Sequence, residues 1–308
     1  MKNKMFLAAF MLLAASCSNE ESLDSSVNPS NEQGFAPVTV RVDGFAVSQS
    51  DFSDTGNSQG ARATTRATAV ASYSGVSFIT LAFYASNGIE VYKHTQEKGN
   101  LEEGKTFGEF ECSLPMDTYT MVAVAYTTKE GSPFVLTNPT EAAFTGLHAY
   151  ETFAYTQTVT ISNTNAVDIS ATLNRVVSML TVISTDGKTA DVSNVRMTFS
   201  AGGKDFNPTT GLAITNTGFV NTVGNSATVG NTSTSSTALF LATDEQTMDV
   251  TIETLNADGD VLFSKTVTNV PFKRNRKTKL TGAMYTNEAL SGSFQVETAW
   301  LTDHNAEF

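Results

Sequence analysis

The sequence predicts an all-β protein made of two β-sandwich domains in tandem. Its apolar residues come in short runs of strand length, and no segment of twelve residues carries a convincing helical period. Clusters of Gly, Asn, Ser and Pro separate these runs at spacings of roughly 8 to 12 residues, the rhythm of a sandwich. A chain of 308 residues also exceeds what one ordinary core accommodates.

The first residues carry a targeting signal. Lys2 and Lys4 precede an apolar run from Met5 to Ala15, and Ala14, Ala15 and Ser16 are small, the pattern of a secretory signal with its processing site. Eleven apolar residues fall well short of the roughly 20 that a membrane-spanning helix needs. Leu13-Ala-Ala-Ser-Cys17 resembles a bacterial lipobox, in which the cysteine thiol receives a diacylglycerol and becomes the new N-terminus. Residues 1–16 are therefore expected to be a lipoprotein signal peptide, with lipid on Cys17 attaching the mature chain to a membrane.

Residues 17–36 are polar and aperiodic and are expected to form a tether. Val38-Thr-Val-Arg-Val42 then alternates as a strand should, which puts Val38, Val40 and Val42 on one face. Residues 47–71 hold Ser, Thr, Gly and Ala with almost no large apolar side chain and read as a linker, which leaves that first strand isolated. Beyond it, strands are expected at 78–84, 108–114, 119–126, 157–161 and 167–173, and then at 176–183, 195–199, 211–215, 238–242, 248–255, 261–267 and 277–282. Residues 139–149 could hold a short helical turn, and Asp186-Gly187 and Asp258-Gly259 read as hairpin turns. The natural division is a first domain over 37–175, with the linker 47–71 inside it, and a second over 176–308.

Composition narrows the function. After loss of residues 1–16 the chain has 17 basic and 31 acidic residues, a net charge of −14, which disfavours nucleic acid as a partner. The basic cluster Lys273, Arg274, Arg276 and Lys277 is expected at a hairpin entry, solvated or paired with neighbouring acids. With Cys17 lipidated, Cys112 has no disulfide partner and reads as a small apolar residue. His94, His148 and His304 lie far apart in sequence, without metal-ligand spacing, and neither a nucleophile elbow nor a phosphate-binding loop is present. Trp300 is the single tryptophan, a poor provision for stacking sugars. The reading is a protein without catalysis, cofactor or metal.

Val270-Pro-Phe-Lys-Arg-Asn-Arg-Lys-Thr-Lys-Leu-Thr-Gly282, the final run Gly292-Ser-Phe-Gln-Val-Glu-Thr-Ala-Trp300, and Leu173-Asn-Arg175-Val-Val-Ser-Met-Leu-Thr-Val182 at the domain junction together resemble the fimbrillins of the Bacteroidetes. In that family an Arg-Asn turn opens a late strand, a Gly closes it, and a last alternating strand ends in Trp. Ser18-Asn19-Glu20-Glu21 resembles the short acidic signal that sends Bacteroidetes lipoproteins to the outer face of the outer membrane.

The resemblance implies two transthyretin-like sandwiches in a lipid-anchored precursor. A trypsin-like maturation protease cuts it at Arg, and it then polymerises with other fimbrial subunits by donor-strand exchange into an adhesive fimbria. On this pattern Arg62-Ala63 and Arg66-Ala67 are the processing bonds, and Val38, Val40 and Val42 belong to the displaced strand. Phe294, Val296, Thr298 and Trp300 form the candidate donor strand, although the same face could close their own second domain. Anchor subunits of the family keep their lipid uncut, so stalk, tip and anchor roles stay open. The alternative from another class is a surface glycan-binding lipoprotein of a polysaccharide-uptake system.

Overall fold

Phe78-Ile-Thr-Leu-Ala-Phe-Tyr-Ala85 and Thr118-Tyr-Thr-Met-Val-Ala-Val-Ala-Tyr126 are too uniformly apolar for a sheet with one wet face. The computed structural model describes residues 34–48, 65–129, 131–286 and 293–297, and in it both strands are covered on both faces. In chain order the strands are β1 (Phe35–Ser48), β2 (Thr65–Ala69), β3 (Phe78–Ala85), β4 (Glu90–Glu97), β5 (Glu109–Pro115), β6 (Thr118–Tyr126), β7 (Phe134–Asn138), β8 (Glu141–Phe144), β9 (Thr152–Thr160) and β10 (Val167–Arg175). The C-terminal half adds β11 (Ser178–Ser184), β12 (Asn194–Phe199), β13 (Asp205–Asn207), β14 (Leu212–Ala213), β15 (Phe219–Gly224), β16 (Thr234–Leu239), β17 (Glu245–Leu255), β18 (Val261–Lys273), β19 (Lys277–Gly282) and β20 (Gln295–Glu297). A single 3-10 turn, Val70–Ser72, is the one helical element among the described residues.

Three cores follow one another through the molecule. In the first, β1, β10 and β5 face the layer β9-β6-β3-β4, and Val38, Val40, Phe110 and Ile169 meet Ile79, Leu81, Phe83, Met121 and Phe153. The opposite face of that second layer carries Ala82, Tyr84, Val122, Val124 and Tyr126 into a middle core. A small sheet ordered β14-β13-β8-β7 closes this middle core, together with Val176, Val177, Ala238 and Phe240. The third core lies between the sheets β16-β11-β19-β20 and β15-β12-β17-β18, where Leu180, Val182 and Leu280 pack on Val195, Met197, Val250, Ile252 and Phe272.

The middle core ties the two halves together. Its small sheet takes β7 and β8 from before residue 175 and β13 and β14 from after it, paired through Asp205↔Ala143 and Phe206↔Ala142. Phe206 and Phe240 stack at 4.4 Å between ring centroids, and Phe240 reaches Phe144 at 6.4 Å. The described residues accordingly fall within one compact unit, Gly34–Phe308.

Several local expectations change. The first strand does not stop at Val42 and is not isolated, because β1 continues to Ser48 and folds back on β2 through Gly44↔Ala69 to Ser48↔Thr65. Of the expected linker 47–71, only 49–64 falls outside the described residues. Residues 141–144 form β8 rather than a helical turn. Asp258-Gly259 does connect the paired strands β17 and β18, with Gly259 at φ 90°. Asp186-Gly187 is no hairpin, since β11 and β12 belong to different sheets.

Because the middle core is shared, Phe240→Ala should cost about 3–5 kcal/mol and shift a single unfolding transition in urea. Two separate transitions, only one of them moved, would show that the halves unfold independently.

Candidate functional site

The site is the slot that β1 fills. Val38 to Ala46 pair in parallel with β10, from Val38↔Val167 to Ala46↔Asn174. On the other edge Phe35 to Arg41 pair antiparallel with β5, and Gly44 to Ser48 with β2. Alternation sends Ala36, Val38, Val40 and Val42 into the first core, all buried. The register slips between Val42 and Gly44, so Asp43 is an extra residue and Phe45, of opposite parity, also points inward and is fully buried. Gly108, at φ 92°, makes the approach to β5 possible, and its carbonyl accepts the Val42 N–H at 2.8 Å. Cys112 lies opposite Val38, half-buried, with its thiol pushed up to about 11 by burial.

Two of the expected processing residues fall at the margin of this slot. Arg66 and Ala67 lie within β2, opposite Val47 and Ala46. Cys17, Arg62 and Ala63 lie outside the described residues.

Of the expected C-terminal strand, β20 supplies three residues at the edge of a sheet, paired through Lys279↔Glu297, Leu280↔Val296 and Thr281↔Gln295. Phe294 packs against the third core, and its ring lies 2.9 Å from where a Cβ on Gly282 would sit. That contact gives the glycine closing β19 a physical reason. Val296 is 40% exposed although it faces the same side as buried Leu280, because the edge position leaves it incompletely covered. Thr298 and Trp300 lie outside the described residues.

The basic cluster sits at the β18–β19 turn, which is no hairpin because it joins strands of different sheets, and there Lys273 pairs with Glu245 at 2.5 Å and Arg274 with Asp244 at 2.6 Å. Asn275 takes φ 59° there, a conformation that Asn tolerates better than most residues. Among the described residues no group of three His, Cys, Asp or Glu side chains is placed to hold a metal ion.

Two features escaped the sequence. Glu151 and Arg175 form a buried ion pair at 2.7 Å, joined by Tyr73 and Asn275. Burial pushes the Glu151 carboxyl above its usual range, although the charge of Arg175 and hydrogen bonds from Tyr73 and Arg175 pull it back. Asp186 accepts the backbone N–H groups of Met284, Tyr285 and Thr286, each at 2.8 Å, and so fastens the root of the segment leading to β20. Burial raises its pKa, but these bonds outweigh it and hold the carboxyl below the usual range.

A family model with the description "Family of unknown function (DUF6562)" matches residues 46–306. The chain belongs to this family. The matched region begins inside β1 at Ala46, beyond Val38, Val40 and Val42, and runs past β20. No curated protein matches the chain in sequence. Among solved structures, it is similar to the fimbrial anchor protein Mfa2 from Porphyromonas gingivalis, at 11% identity and a TM-score of 0.48, over 86% of this chain and 98% of that one. A candidate adhesin from Bacteroides ovatus matches at 11% identity and TM-score 0.48, over 87% and 96%. A candidate polysaccharide-binding protein from Bacteroides thetaiotaomicron matches at 12% and 0.45, over 81% and 92%. Likeness of this order does not carry function from one chain to another.

The Asp186 clamp has a pH signature. A carboxyl held below its unfolded value of about 3.9 contributes stability above that pH and gives it up as pH falls through the lower, folded value. Acidification should therefore lower hydrogen-exchange protection at Met284, Tyr285 and Thr286 ahead of the third core, and Asp186→Asn should remove that acid step. Protection that is insensitive to acid in the natural chain would contradict this role.

Proposed function

We propose that the chain is a structural subunit of a cell-surface fimbria, and that it assembles when β1 is cut from its own body and a neighbouring subunit refills the slot. The observation that carries this reading is that β1 lies between ladders on both edges yet continues into the body only through residues 49–64 on its C-terminal side. One cut there turns a central strand into a separate peptide held by backbone hydrogen bonds and alternate side chains, the situation in which strands are exchanged.

Arg62-Ala63 is the better processing bond. It precedes β2 in the chain, whereas Arg66-Ala67 lies inside the ladder with Val47 and Ala46, a pairing that hinders a protease. A trypsin-like protease would make the cut. Lipid on Cys17 would hold the precursor at the outer membrane until then, and the finished polymer would serve adhesion.

The energetics favour exchange over simple loss. Burying Val38, Val40, Val42 and Phe45 contributes roughly 1.5–3 kcal/mol each, a sum comparable with the whole stability of a typical domain, about 5–15 kcal/mol. An empty slot is therefore costly, and a donor strand recovers most of the loss. We assign the donor to the C-terminal strand with Phe294, Val296, Thr298 and Trp300. In a one-to-one register its two aromatic rings exceed the Ala36 and Val42 side chains they replace, so the slot must widen at its ends to take them.

The test uses the mature chain, a trypsin-like protease and a fluorescent peptide of residues 34–48. The cleaved chain should capture the peptide and form fibres under the electron microscope, while the uncut chain does neither. A Val40→Asp peptide should bind about a hundredfold more weakly, since it buries an unpaired carboxylate. Polymerisation of a chain carrying both Arg62→Ala and Arg66→Ala, at the rate of the natural one, would overturn the reading.

A further inference from the structure

Arg175 connects segments that lie far apart in the sequence. Its side chain is 2% exposed and reaches Glu151 Oε1 from Nε at 2.8 Å and from Nη2 at 2.7 Å. Nη2 also donates to Tyr73 Oη at 2.8 Å, Nη1 donates to Asn275 Oδ1 at 3.0 Å, and the guanidinium lies 5.1 Å from the centre of the Phe153 ring. Tyr73 Oη donates in turn to Glu151. Glu151 stands just ahead of β9, Arg175 ends β10, and Tyr73 follows β2 by way of the 3-10 turn. Asn275 belongs to the β18–β19 turn of the C-terminal half and is fixed there by its own N–H, which donates to Val177 O at 2.8 Å.

The tyrosine faces β1. Its ring lies 5.3 Å from Phe45 and 5.4 Å from Phe153, and Phe45 and Phe153 are 4.7 Å apart. A Cβ on Gly75 would overlap the Glu151 carboxylate, so the chain just after Tyr73 is also pressed against the ion pair. A continuous set of contacts therefore runs from Phe45 through Tyr73 and Arg175 to Asn275.

We propose that this cluster is a latch through which occupancy of the β1 slot is read at the junction with the C-terminal half. With β1 in place, Phe45 and Phe153 wall in the Tyr73 ring, and its hydroxyl completes the Glu151–Arg175 pair. When β1 leaves, Tyr73 loses one wall and its hydroxyl drifts from the pair. Arg175 and Glu151 then each lose one of their hydrogen bonds in a buried site, where such a loss is costly, and the hold on Asn275 weakens. Coupling is reciprocal, so a loosened Arg175–Asn275 contact in turn favours release of β1. The purpose of the latch rests on the fimbrial reading: a subunit with an empty slot differs at its junction from one that has received a donor strand.

The latch is testable on the intact, uncut chain. Phe45→Leu keeps an apolar side chain in the slot but removes the ring, and Asn275→Gly removes the amide while keeping a residue that accepts φ 59°. Unfolding in urea of the two single variants and the double variant should show a coupling of about fivefold or more in the unfolding constant. Phe45→Leu should also speed hydrogen exchange at Lys277, Thr278 and Lys279 beyond the turn. In a Tyr73→Phe background, which keeps the ring and loses the hydroxyl, the coupling should disappear. Effects that add to within about twofold, or a coupling that persists without the hydroxyl, would overturn the proposal. The fimbrial reading stands or falls separately, because coupling in a chain that never polymerises leaves the latch intact, and polymerisation without coupling removes the latch alone.

Discussion

The constraint on which the N-terminal half depends is that β1 must be paired along both edges while its alternate side chains fill the first core. The C-terminal half uses the same geometry. There β11 lies parallel to β19, from Met179↔Lys277 to Ser184↔Gly282, and antiparallel to β16. Each half thus begins with a strand set between a parallel strand from late in that half and an antiparallel neighbour. The difference is covalent. β11 continues directly from β10 through the buried Val176 and Val177, whereas β1 is preceded by the polar residues 17–33. In the proposed function the arrangement is permanent in the C-terminal half, while in the N-terminal half a single cut leaves β1 held only by its ladders and side chains.

The middle core explains how the body could tolerate that loss. Removing β1 uncovers Ile79, Leu81, Phe83 and Met121 on one face of the β9-β6-β3-β4 layer. The other face stays covered by Phe144, Phe206 and Phe240, contributed from both sides of residue 175. On the proposed reading the slot empties while the shared aromatic core keeps β3 and β6 in place, the state a strand-exchanging subunit must pass through.

Much of this was legible in the sequence. The continuous apolar runs of β3 and β6 and the alternation of β10 and β17 are strong local signals, and they gave the all-β class and most strand positions. β4 escaped because it is an edge strand whose exposed residues, among them Glu90, Lys93 and Glu97, carry no apolar pattern. Phe45 was not counted with Val38, Val40 and Val42 because the bulge at Asp43 reverses parity, a change hinted at only by Gly44. Asp186 resembled a hairpin residue because its real partners lie about a hundred residues away. Tyr73 and Glu151 were invisible for the same reason: what makes them matter is tertiary contact with Arg175, and nothing in their own neighbourhood announces it.

The central claim is that β1 must leave its slot for the chain to assemble, and a reversible lock tests it directly. Val38 lies opposite Cys112, and facing Cβ atoms on neighbouring strands are about 4.5–5.5 Å apart, close to the 3.5–4.5 Å of a disulfide. In a Val38→Cys chain, with the bond to Cys112 verified by peptide mass, the oxidised protein should be cut by the protease yet retain β1 and stay monomeric. Reduction should restore strand release and fibres. Fibres formed at an undiminished rate by the oxidised, cleaved protein would contradict the account.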